Sequence, residues 1–138
     1  MIEIKKVYGG WVEIQFDNLT ISGSYLSDIP MEWLTTIKFA LTEQLPWCLH
    51  IDNEYSKNMI VGFQQEVFYY ESDKMFYKIF TDSQHFLIKL FSEMTKYKNE
   101  WYNWVHDIDY YSQLQKDNRK KKLDELFNDI NAILTKGL

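Results

Sequence analysis

Cys48, His50, Asp52 and Glu54 recur at every second position of the stretch PWCLHIDNE, residues 46–54. Successive side chains of a β-strand alternate between faces, so on a strand these four would share one face. Thiols, imidazoles and carboxylates are the groups that ligate zinc, and an imidazole beside carboxylates can serve as a general acid or base. Positions two apart on a strand lie about 6.5 Å from each other, so a metal reading needs ligands from another element. Glu66 and Glu71 are the natural helpers. The simpler reading makes the set the wet side of an amphipathic antiparallel strand, with Trp47, Leu49 and Ile51 facing the core. His106, in HDID (106–109), is another candidate ligand or base, but a histidine near a helix end serves equally as a cap or surface residue. His85 stands at a helix start with no partner nearby in sequence.

Other chemistries leave little trace. There is no G-x-S-x-G, no P-loop and no G-x-G-x-x-G. Cys48 lies inside a predicted strand beside Trp47, a poor setting for an exposed thiolate. The run RKKK (119–122) is bracketed by Asp117, Asp124 and Glu125, which reads as a solvated helix face. Arg119 is the sole arginine among 15 basic residues, so bidentate arginine chemistry toward phosphate is nearly absent. The formal net charge of −5 argues against non-specific nucleic-acid binding, which depends on neutralising phosphates. Tyr69-Tyr70 and Tyr110-Tyr111 offer rings for base stacking, but no basic groove accompanies them.

The elements that must hold these residues read as α+β. IEIKKVY and WVEIQF flank Gly9-Gly10, a hairpin signal, because glycines accept the positive φ of primed turns. Val12, Ile14 and Phe16 share one face of the second strand, and LTISGSYL supplies a third. Residues 27–46 read as a helix capped by Ser27 or Asp28, with Pro30 in its first turn and Pro46 at its end. Its apolar stripe is Trp33, Leu34, Ile37, Leu41 and Leu45. WCLHID, MIVGF, EVFYYES and MFYKIF follow as antiparallel strands. From Asp82 or Ser83, one long helix carries Phe86, Leu90, Met94, Tyr97, Trp101 and Trp104 on one face. HDIDYYS reads as a break, and Leu123, Leu126, Phe127, Ile130, Ile133 and Leu134 mark a final helix before Gly137. The predicted order is βββ-α-ββββ-α-α in a single domain spanning 1–138. The β regions form one antiparallel sheet or two, and one sheet with helices packed on one face is the preferred arrangement.

At 138 residues the chain is long enough to bury a core without staples. A single cysteine rules out an intramolecular disulfide, no apolar run is long enough for a membrane span, and the start lacks a signal peptide. A cytoplasmic location without cofactor is expected. Aromatics make up 17% of the chain, and tyrosine and tryptophan are frequent contact residues at interfaces.

In GGWVEIQF, SYLSDIPMEWL, PWCLHIDNEYSKNMIVGF and LDELFNDINAIL the chain resembles the small immunity proteins of bacterial polymorphic-toxin systems, in particular those carried with contact-dependent or secreted effectors. The likeness is one of size, element order, aromatic strands and acidic balance over most of the chain. It implies stoichiometric binding that neutralises a cognate toxin domain, often a nuclease, and it transfers no site residues. The contact residues expected from the outward faces of the middle strands and their turns are Asp52, Glu54, Tyr55, Glu66, Tyr69, Glu71 and Asp73. A homodimer is compatible with this reading. Two alternatives stand beside it: a metal-dependent hydrolase using His50, Asp52, Glu54 and Glu66, and a structural subunit of a phage or secretion particle.

Overall fold

The structure, a computed structural model, describes residues 2–16, 18–24, 27–44, 46–71, 75–80, 82–104 and 112–137, with the backbone alone for 75–78 and 80. Along the chain it has β1 (Ile2–Tyr8), β2 (Trp11–Phe16), β3 (Leu19–Ser24), α1 (Ile29–Glu43), β4 (Trp47–His50), β5 (Asn58–Phe63), β6 (Glu66–Glu71), β7 (Met75–Phe80), α2 (Ser83–Thr95), α3 (Lys98–Tyr102) and α4 (Gln113–Thr135). The α+β class and the element order are as read from the sequence. Leu45, Asp73, the HDID stretch and Tyr110-Tyr111 lie outside the described residues.

Gly9 and Gly10 take φ of 54° and 78°, as the β1–β2 hairpin requires. The strands pair antiparallel throughout, but in two hydrogen-bonded sets, β1-β2-β3 and β4-β5-β6-β7. This corrects the expectation of one continuous sheet. The regular pairing of β4 stops at His50, and the loop that follows meets β3 at a corner. There the Ser24 N–H donates to the Asp52 carbonyl at 2.9 Å, and the Asn53 amide donates to the Ser22 carbonyl at 2.7 Å.

Both sheets turn their apolar faces to the same helices. Val12, Ile14 and Phe16 from the first join Leu49, Ile60 and Val67 from the second, against Trp33, Leu34 and Ile37 of α1 and Phe86 and Leu90 of α2. Phe86 is the tie: its ring stacks on Phe16 and on Trp47, each at 5.7 Å between centroids. Gly62 on β5 makes room for the same Trp47, since a Cβ there would lie 2.1 Å from the indole. α4 packs on α1 and buries Leu123, Leu126, Phe127 and Ile130.

Two other departures from the sequence reading have local causes. The expected long helix from residue 83 is two helices, with a turn at Lys96 and Tyr97. The break lets this corner reach β1. The Glu93 carboxylate accepts from the Ile4 N–H at 3.0 Å, and the Tyr97 hydroxyl donates to the Ile4 carbonyl at 3.0 Å. Both outward backbone groups of an edge-strand residue are thereby satisfied. The Met94 carbonyl, which accepts from the Tyr97 N–H at 3.0 Å, also accepts from the Trp101 indole N–H at 2.7 Å. The second departure concerns RKKK. Arg119 is no solvated residue: its guanidinium clasps Asp28 through two bonds of 2.9 and 2.7 Å and donates to the carbonyls of Trp101 and Tyr102. The sole arginine thus locks α4 onto the N-terminus of α1 and the C-terminus of α3.

Candidate functional site

The alternation that opened the argument holds in the fold. Trp47, Leu49 and Ile51 are buried, while Cys48 is half-buried and His50 exposed on the other face. Cys48 Sγ lies 3.8 Å from His50 Nε2 and 3.6 Å from Met59 Sδ. Burial, then the nearby Asp52 carboxylate, pushes the Cys48 thiol up from its ordinary value. That disfavours the thiolate a nucleophile would need.

The proposed metal ligands are not assembled. In register, His50 stands level with Met59, whereas Glu66 stands level with Phe63, four residues further along β5. That is about 13 Å along the strand. Glu71 lies at the opposite end of β6 from Glu66. Among the described residues no group of three or more His, Cys, Asp or Glu side chains is placed to hold a metal ion. A shallow cavity of about 360 Å³ beside Cys48 and His50 is lined by Met31, Glu32, Thr35 and Thr36 of α1. Glu32 at its rim is pushed up by partial burial, opposed by His50 and reinforced by Asp28 and Asp52.

The expected contact residues divide into three groups. Asp52, Glu54 and Tyr55 sit on the loop that joins β4 to β5, and Glu71 lies at the same end of the sheet, its strand position paired with Asn58. Glu66 is half-buried at the far end. Tyr69 departs from expectation: it shares the inward face of β6 with Val67, is 3% exposed, and donates its hydroxyl to Asn58 Oδ1 at 2.7 Å. Tyr69 therefore braces the core beneath the loop rather than meeting a partner.

The loop is built from within. Asn53 Oδ1 accepts from the backbone N–H groups of Tyr55 and Ser56 at 2.8 and 2.9 Å, an Asx turn. The Asn58 amide donates to the Ile51 carbonyl and to Ser56 Oγ. Above this frame Glu54 is exposed and Tyr55 is 88% exposed. Tyrosine is a large amphipathic ring with few rotamers, suited to contact at low entropic cost. A cavity of about 580 Å³ lies elsewhere, between the β5–β6 turn and the start of α2. Its lining includes Trp47, Phe63 and the carboxamides of Gln44, Gln64, Gln65 and Gln84. Its one carboxylate, Asp82, caps α2 through the His85 N–H.

The residues that sequence reasoning passed over are Asn53, Asn58 and the outward side chains of β5 and β6. Asn53 was legible as a turn former. Met59, Val61, Phe63, Phe68 and Tyr70 alternate with Ile60, Gly62, Val67 and Tyr69, so these strands lack a polar side. That absence was the available signal.

No family model, curated protein or solved structure matches the chain.

Proposed function

We propose that this chain is an immunity-type protein, working in the cytoplasm, that neutralises a cognate bacterial toxin domain by stoichiometric contact. The observation that carries the reading is the loop at residues 52–55. An internally hydrogen-bonded turn presents a nearly fully exposed tyrosine next to the exposed Glu54, so the ring itself adds little buried area to the chain's own core. The net charge of −5 suits a basic partner such as a nuclease domain, because complementary charge raises the association rate and selects among partners. Asp52, Glu54, Tyr55 and Glu71 form the acidic and aromatic end of the contact, and Glu66 lies at its far margin.

The test is capture of the partner from the native host on tagged protein, with stoichiometry by mass spectrometry. A single near-equimolar basic protein is expected. The double variant Glu54→Lys, Tyr55→Ala should then bind it at least tenfold more weakly, about 1.4 kcal/mol or more. Affinity unchanged by the double variant would remove the loop from the contact.

A further inference from the structure

The two sheets share one helix layer but differ on their outer faces. The outer face of β1-β2-β3 carries Glu3, Lys5, Glu13, Gln15 and Thr20, the usual wet side of an antiparallel sheet, with the rings of Tyr8 and Trp11 only at its hairpin end. The outer face of the β4–β7 sheet carries Cys48, Met59, Val61, Phe63, Phe68 and Tyr70, with the polar His50 and Glu66 at opposite ends. Phe63 is 53% exposed and the other five are half-buried. The buried residues of α1 and α2 pack on the opposite side of this sheet, and α4 packs on α1, so no described helix covers it.

Resting on the function proposed above, we infer that this outer face is the apolar centre of the partner contact, continuous with the loop at residues 52–55. Its occupant would be a partner domain with an apolar patch ringed by Lys and Arg. Four strands about 4.8 Å apart, up to six residues long at about 3.3 Å each, span at most about 20 by 20 Å, on the order of 400 Å². A stable interface needs about 800 Å² from each partner, so the face needs the loop to extend it. Charge chooses the occupant over a second copy of the chain. Asp52, Glu54 and Glu66 border the face and its loop, with Glu71 at the strand end on the parity of Tyr69, against Lys57 on the loop and Lys78 at the register position opposite Phe68. Two such rims repel, and a basic rim is attracted.

The experiment compares the full-length chain with the variant Val61→Thr, Phe68→Thr. Threonine keeps strand propensity while removing apolar area. Circular dichroism and melting establish that the variant is folded, with Val61→Thr alone as the fallback. Against the captured partner, the variant should lose at least tenfold in affinity, and wild-type β5 and β6 should gain hydrogen-exchange protection on binding. Partner binding within twofold of wild type, with the loop variant still defective, would overturn this inference and leave the proposed function standing. Failure of wild type to retain any stoichiometric partner would overturn both. Sedimentation showing a wild-type dimer that the threonine variant converts to monomer would overturn the choice of occupant and assign the face to a second copy.

Discussion

Tyr69 and Tyr55 sit fourteen positions apart in one aromatic-rich stretch and have opposite fates. Tyr69 is buried with its hydroxyl on Asn58, and Tyr55 stands in solvent. Tyr69→Phe leaves Asn58 Oδ1 without that donor in a buried place. It should cost about 1–2 kcal/mol in denaturant unfolding and leave partner affinity unchanged. A loss of affinity without a loss of stability would put Tyr69 in the contact after all. Tyr102 offers a pH test. Burial, then its hydrogen bond to Asp124, pushes its hydroxyl up to about 12. The protonated form is the one favoured by folding. Its contribution is therefore whole below the ordinary tyrosine value near 10 and is lost as pH rises toward 12. Absorbance titration of phenolate should show one tyrosine ionising late, and Tyr102→Phe should abolish that late step. Retention of the late step in the variant would reassign it.

Strand alternation was legible wherever one side of a strand is wet. Val12, Ile14 and Phe16 were read as inward, and so were Trp47, Leu49 and Ile51; all six are buried. The helix of residues 83–104 was legible as an apolar face but not as two helices. Its break involves neither proline nor glycine, and its purpose lies ninety residues away, at Ile4. The last helix begins at Gln113, well before its apolar residues, because Ser112 and Gln115 form a capping box there. Arg119 lies in this polar stretch, and its role depends on Asp28, a residue read as a helix cap. Asp28 does stand at the N-cap, but its carboxylate makes no cap bond and goes to the guanidinium instead. Lysine cannot reproduce the two-pronged bond to Asp28 together with the two carbonyl bonds. Arg119→Lys should therefore destabilise the fold by about 2 kcal/mol, seen as a lower thermal midpoint. A double-mutant cycle with Asp28→Asn isolates the pair, and additive losses would show that it is uncoupled.

One apolar core reaches across both sheets and all four described helices. Phe86 joins the sheets by stacking on a ring from each. Phe86→Ala should cost about 3–5 kcal/mol, and the loss should appear as one shifted transition rather than two. Far-ultraviolet circular dichroism and tryptophan fluorescence must then coincide through the transition. Separated curves would mean that the sheets unfold independently. At this level the proposed contact surface also takes its form. The loop at residues 52–55, Glu71 and the apolar outer face of β5 and β6 become neighbours because β4, β5 and β6 pair in the observed register.

Strand and helix identities follow from the sequence alone, because side-chain periodicity, the Gly9-Gly10 turn and the flanking prolines are local signals. So does the absence of familiar catalytic motifs and the acidic balance. Tertiary structure decided which apolar side of β5 and β6 is the core. Both sides are apolar, and the packing of α1 and α2 covers the side of Ile60 and Tyr69, leaving Val61 and Phe68 outside. It also decided that His50 and Glu66 stand apart, since strand register sets distances that spacing along the chain does not. The pairings of Arg119 with Asp28 and of Glu93 with Ile4 belong to tertiary structure for the same reason. Each joins residues about ninety positions apart, a separation at which no local physical preference links them.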